Sequence, residues 1–243
     1  MGRSPATDTA TITTMDMDTS RRFLYLLQIA NASFPTGAFN HSFGFETWID
    51  AGEITTAAEL ELVCRDWLSY GVRHGDAAIV AHAHRAANAA DLEVLDQVAA
   101  AIKLSRETRG ASMKMGWALL NALHDVFDVI DLKDYARSIQ EGSCEGHYAV
   151  IFGAAAACIG VAESDAVLVY LHTSLANVTS VAARLIPLGQ IEVQRIIWRS
   201  HPFLLESTAA AQSTDLHLIG TATVGLDVAS MQHERLHTRL CMS

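Results

Sequence analysis

Asp165 to Ile186 reads DAVLVYLHTSLANVTSVAARLI, and this stretch decides the fold. Val167, Tyr170, Leu171, Ser174, Val178, Val181 and Leu185 recur at spacings of three and four, which is one stripe of a long helix. Pro187 disfavours helical backbone at the residue before it, so the helix stops there, and Gly189 suits the turn that follows. Upstream, Val150 to Val161 is rich in Gly and Ala, small enough to let neighbouring helices approach closely, and reads as the central helix of a bundle.

Helical patterning extends through most of the chain. Thr56 and Glu59 form a capping box ahead of Leu60, Val63, Cys64, Trp67, Leu68 and Gly71. Leu92, Leu95, Val98 and Ile102 repeat the stripe over 91–104. Alternating strand patterns with hairpin turns are missing, so the fold class is all-α, a single-domain helical bundle. Residues 1–21 read as a flexible N-terminal tail and 22–205 as the helical domain. Residues 206–243 lack a strong apolar stripe and end in a polar tail that orders against a partner.

Half of the 243 residues are apolar and 18% are charged, enough to build a core. The net charge of −10 argues against nucleic-acid binding through a basic surface. The longest uncharged apolar run, Tyr148 to Ala162, is too short for a membrane span. Cys64, Cys144, Cys158 and Cys241 are scattered without a CxxC pair, and read as reduced thiols, the first three small and buried. With no signal peptide, a cytoplasmic location is expected.

Enzyme signatures are lacking: no P-loop, no dinucleotide fingerprint, no HExxH and no GxSxG. His82 and His84, near Asp76, are two apart and face different sides of a helix, which suits solvated or capping roles better than a shared metal. His233 and His237 are four apart, the spacing of a weak metal contact or of an interaction surface.

Three stretches are unlike ordinary core. Ala32 to Glu46, ASFPTGAFNHSFGFE, sets Phe34, Phe39, Phe43 and Phe45 around a Pro35–Gly37 turn; the aromatics either anchor the loop or present an apolar knob to a partner. Arg106 and Arg109, with Glu107 between them, form either a solvated face or an Arg pair that clamps a carboxylate. Asn177 and Arg184 sit in an apolar helix, where burial requires bonding partners. A catalytic pocket around them would need converging acid, base or nucleophile groups, which the sequence does not supply.

Together these stretches resemble the urease accessory protein family UreF. Phe34 to Glu46, with Pro35, Gly37, Phe39 and Ser42 in step, looks like its LPxGAFSYSxGLE signature. Arg106-Glu107-Thr108-Arg109 resembles its RExR helix, and His147 to Gly153 its HFPVVFG segment, with Ala149 in place of Pro. Asn177 to Gln190 is similar to NLxSAAVRLxPLGQ, and Asp227 to Leu240 to DIASMRHETQYSRLF, keeping Ser230, His233, Glu234 and Arg239. The resemblance implies an all-α, non-catalytic protein without a cofactor of its own. It would pair with UreD (also called UreH) and recruit the GTPase UreG to deliver nickel to apo-urease, and it would form a homodimer. The loop, the tail and Arg106, Glu107 and Arg109 become candidate partner contacts. Asn177, Arg184 and Gln190 become structural polar residues. The runner-up is a nickel carrier that uses tail histidines.

Overall fold

The computed structural model describes residues 17–128 and 130–242. Its elements are α1 (Met17–Ile29), α2 (Phe45–Asp50), α3 (Ala57–Trp67), α4 (Asp76–Arg85), α5 (Ala89–Ile102), α6 (Arg106–Val126), α7 (Lys133–Gln140), α8 (Tyr148–Ile159), α9 (Glu163–Leu185), α10 (Gln190–Ser213) and α11 (Val224–His233). Among the described residues there is no strand, and the all-α expectation holds. The flexible tail expected over 1–21 lies outside the described residues as far as residue 16; 17–21 open α1.

Local chemistry starts and stops these helices. Thr56 accepts the Glu59 amide while Glu59 takes the Thr56 amide, so the α3 capping box closes in both directions. Asn88 and Ser105 cap α5 and α6 in one direction, their side chains accepting the Asp91 and Thr108 amides. Ile186, ahead of Pro187, is extended at φ −120° and ends α9. His82 and His84 each bond a backbone carbonyl, that of Thr214 at 2.8 Å and that of Val161 at 2.9 Å, so they tie the ends of α10 and α8 to α4 in separate places.

The centre is α4, α8 and α9. Helix α8 is buried from Tyr148 to Ala156. A Cβ at Gly153 would stand 2.5 Å from the Val80 carbonyl oxygen, so only Gly allows α8 to lie this close to α4. Helix α9 has the length and hydropathy of a membrane span, but half of that window is buried inside the bundle, as suits a core helix. Cys64 and Cys144 are buried as expected; Cys158 is exposed, because the last turn of α8 turns that position out of the core.

The C-terminal part departs from the sequence reading. Helix α10 runs on through residue 206 to Ser213, and its inner face there is Ser207, Thr208 and Ala211. Thr208 satisfies its hydroxyl on the Leu204 carbonyl at 2.9 Å, so a helix face can be buried without an apolar stripe. Beyond it the chain crosses a π-helical turn, Leu68–Val72. There the Ala222 amide reaches the Tyr70 carbonyl at 2.7 Å and the Gly220 amide reaches His74 at 3.0 Å. The tail that was expected to order on a partner is ordered against its own chain.

Candidate functional site

The Pro35–Gly37 turn brings three of its four aromatics inward. Phe34 stacks on Phe127 at 6.3 Å, and Phe43 and Phe45 pack on Trp67 at 6.1 and 5.8 Å. Phe39 alone points out, 47% exposed, and Arg184 holds its backbone carbonyl at 2.5 Å. Phe34, Phe43 and Phe45 thus anchor the loop, and Phe39 is the aromatic left exposed; Pro35 is also exposed. Phe43 is held at φ +51°, a strained conformation for an aromatic residue. Gly44 follows at φ +91°, and a Cβ there would come within 2.6 Å of the Leu226 carbonyl oxygen. The loop is shaped to let α11 lie directly on it.

The network that holds α11 is polar. Glu46, 4% exposed, accepts from His233 Nε2 at 2.7 Å, the Leu240 amide at 2.6 Å and the Cys241 amide at 3.0 Å. His233, fully buried, directs its other nitrogen at Glu107, 2.7 Å away. Each imidazole nitrogen thus faces a carboxylate oxygen, and His233 bridges the two acids. Arg239 completes the chain by donating to Glu107 at 3.0 Å. Burial would push the Glu46 carboxyl up, but the amide and imidazole donors outweigh it and hold the group below the ordinary carboxylate value.

Around this network, Ser230 meets Ser105 and Thr108 at 2.7 and 3.0 Å, and Thr47 donates to the Ala229 carbonyl at 2.8 Å. Arg106 grips Glu234 with two hydrogen bonds, 3.0 and 2.6 Å long. Arg109 grips Glu145 instead. The two arginines therefore do not clamp one carboxylate; each closes on its own. The Met242 amide bonds the Asn40 carbonyl at 2.7 Å, which closes the chain end over the loop.

Under α11 lies a cavity of about 90 Å³. Asn177 and Asp227 line it, with Tyr148, Tyr170 and a Lys103–Asp76 ion pair of 2.6 Å. Desolvation pushes the Asp227 carboxyl up, with Lys103 opposing. Asn177 thus faces this cavity, whereas Arg184, from the same helix, is a surface residue that fixes Phe39; Gln190 is exposed at the start of α10.

His233 and His237 do not form a joint metal site. Helix α11 ends at His233, so the helical spacing is lost, and both His233 nitrogens are taken by carboxylates. Among the described residues no group of three or more His, Cys, Asp or Glu side chains could hold a metal ion. What the fold does present is a surface. Val224, Val228 and Met231 line the outer side of α11 at i, i+4 and i+7, all exposed, and Leu240 and Met242 extend the exposed apolar set toward Phe39. Sequence reading missed this stripe, because the buried face of α11, Leu226, Ala229, Ser230 and His233, is half polar and blurs the contrast between its two sides.

A family model described as UreF matches residues 54–201. Relatives that carry the name "Urease accessory protein UreF" include three from different genera. That of Geobacillus kaustophilus is 33% identical over 93% of this chain and its own full length. That of Paenarthrobacter aurescens is 32% identical over 90% of this chain and 97% of its own. That of Actinobacillus pleuropneumoniae is 30% identical over 90% of this chain and 97% of its own.

Proposed function

This chain belongs to the UreF family of urease accessory proteins, with a role in urease maturation, and from that premise we propose that it is a non-catalytic cytoplasmic scaffold. It pairs with UreD (UreH) and recruits the GTPase UreG, tuning its turnover, so that nickel reaches apo-urease as cargo of the complex. The observation that carries this reading is the outward apolar stripe of α11, set on a helix whose inner side is locked to the body by Glu46, His233 and Glu107. A rigid helix face with exposed Val and Met anchors is how a partner groove is filled. Self-association into a homodimer is supported by α1, where Phe23, Leu24 and Leu27 stay exposed.

Val228→Glu with Met231→Glu tests the docking face. Both side chains point to solvent, so the melting temperature stays near wild type. Co-purification with UreD and urease activation in a deletion strain fall sharply. Undiminished recruitment by the double variant would sink the assignment.

A further inference from the structure

The eleven histidines differ in what occupies their ring nitrogens. His82 and His84 hold carbonyls, His74 lies against Arg73 and Thr214, His147 against Ser112, and His233 is locked between two acids. His172 and His201 differ in being neighbours. They sit on α9 and α10, and among the described residues neither ring has a hydrogen bond or ion pair. They have each other, with ring centroids 6.1 Å apart and planes inclined at 48°. They also have Trp198, 71% exposed, whose ring lies edge-on to His201 at 5.2 Å.

Two imidazoles on one metal ion, each nitrogen about 2 Å from it, set their ring centres roughly 5 to 6 Å apart. The observed separation fits that span with at most a small side-chain rotation. The supporting backbone is two long packed helices joined by a short turn, the rigid kind of scaffold that holds ligands in place. The site is open to solvent, and the net charge of −10 favours approach of a cation. We infer that His172 and His201 form a two-imidazole site for a borderline-soft divalent metal such as Ni²⁺, Cu²⁺ or Zn²⁺, with water completing the coordination sphere. Two protein ligands make a weak, exchangeable site and not a structural one. This inference is independent of the docking role of α11 and can fail without it.

The test uses the full chain without a histidine tag. Ni²⁺ and Cu²⁺ are titrated while tryptophan emission is followed, with calorimetry in parallel. Saturable quenching with one metal per chain is expected, lost in both H172A and H201A and kept in H237A. W198F should lose the quenching but keep the calorimetric binding. Circular dichroism confirms that each variant is folded, His172 being exposed and His201 half-buried. Wild-type binding by the H172A/H201A double variant, or no saturable binding by the native chain, overturns the proposal.

Discussion

Glu46→Gln is the sharpest perturbation of the C-terminal clasp. The substitution keeps shape and one acceptor oxygen but replaces the other with an amide N–H2, beside His233 Nε2 and facing the Leu240 and Cys241 amides, which can only donate. Apolar burial offers little to compensate. Between residues 224 and 242 Leu226 is the one large aliphatic side chain that is buried, a contribution of about 2 kcal/mol. Removing one member of a buried, hydrogen-bonded ion pair costs about 3–5 kcal/mol. Gln retains part of the bonding, so about 2–3 kcal/mol should be lost, on the order of a 30- to 150-fold fall in the ratio of closed to open clasp. Hydrogen exchange reads this directly. The Met242 amide, bonded to Asn40 and not to Glu46, and the amides of α11 should exchange faster by that factor. Amides in α8 should not change. Acid should mimic the variant. Because the folded Glu46 carboxyl lies below the ordinary value of 4.5, its stabilisation is complete above that value and disappears as pH falls through the lower folded one. Wild-type exchange at Met242 in E46Q, or a clasp that stays protected in strong acid, would refute the reasoning.

Two other perturbations separate surface from core. Phe39→Ala removes an exposed ring, so stability should change by less than about 0.5 kcal/mol. If the ring is a docking anchor, partner affinity measured by calorimetry should fall by about 2 kcal/mol or more; a large drop in melting temperature with full affinity would reverse that assignment. Gly153→Ala forces a Cβ against the Val80 carbonyl and against Ala83 at 2.9 Å, contacts that backbone cannot yield cheaply. Overpacking of this kind costs roughly 1–3 kcal/mol, and the thermal midpoint should drop by about 3–10 °C in scanning calorimetry.

What the sequence made legible was local. The α3 capping box, the Ile186–Pro187 stop and the stripe of α9 each depend on residues within a few positions of one another, and each stands where expected. What it hid was either hydroxyl-lined or long-range. The end of α10 buries Ser207 and Thr208, so hydropathy does not mark it. Asp96, inside the stripe of α5, is buried and gathers the amides of Glu145, Gly146 and His147, yet in sequence it reads as one more surface acid. The clasp joins residues 46, 107, 233 and 239, and the His172–His201 pair bridges two helices. No periodicity rule connects such positions.

The polar character of the clasp also bears on how a partner would be bound. A segment held by a few directional, charge-assisted bonds has one register and one orientation, but gains little from nonspecific apolar burial. Its exposed stripe is then a docking face only while the clasp is closed. In that case Glu46→Gln and the Val228/Met231 changes weaken binding in different ways. The first lowers the closed fraction, so the apparent Kd rises as the inverse of that fraction while the bound complex is unaltered. Excess partner restores full occupancy with wild-type urease activation, and the partner in turn restores protection at Met242. The second alters the contact itself, so a saturated complex still dissociates faster. Equal dissociation rates for the two variants would show that the clasp and the stripe are not separate devices.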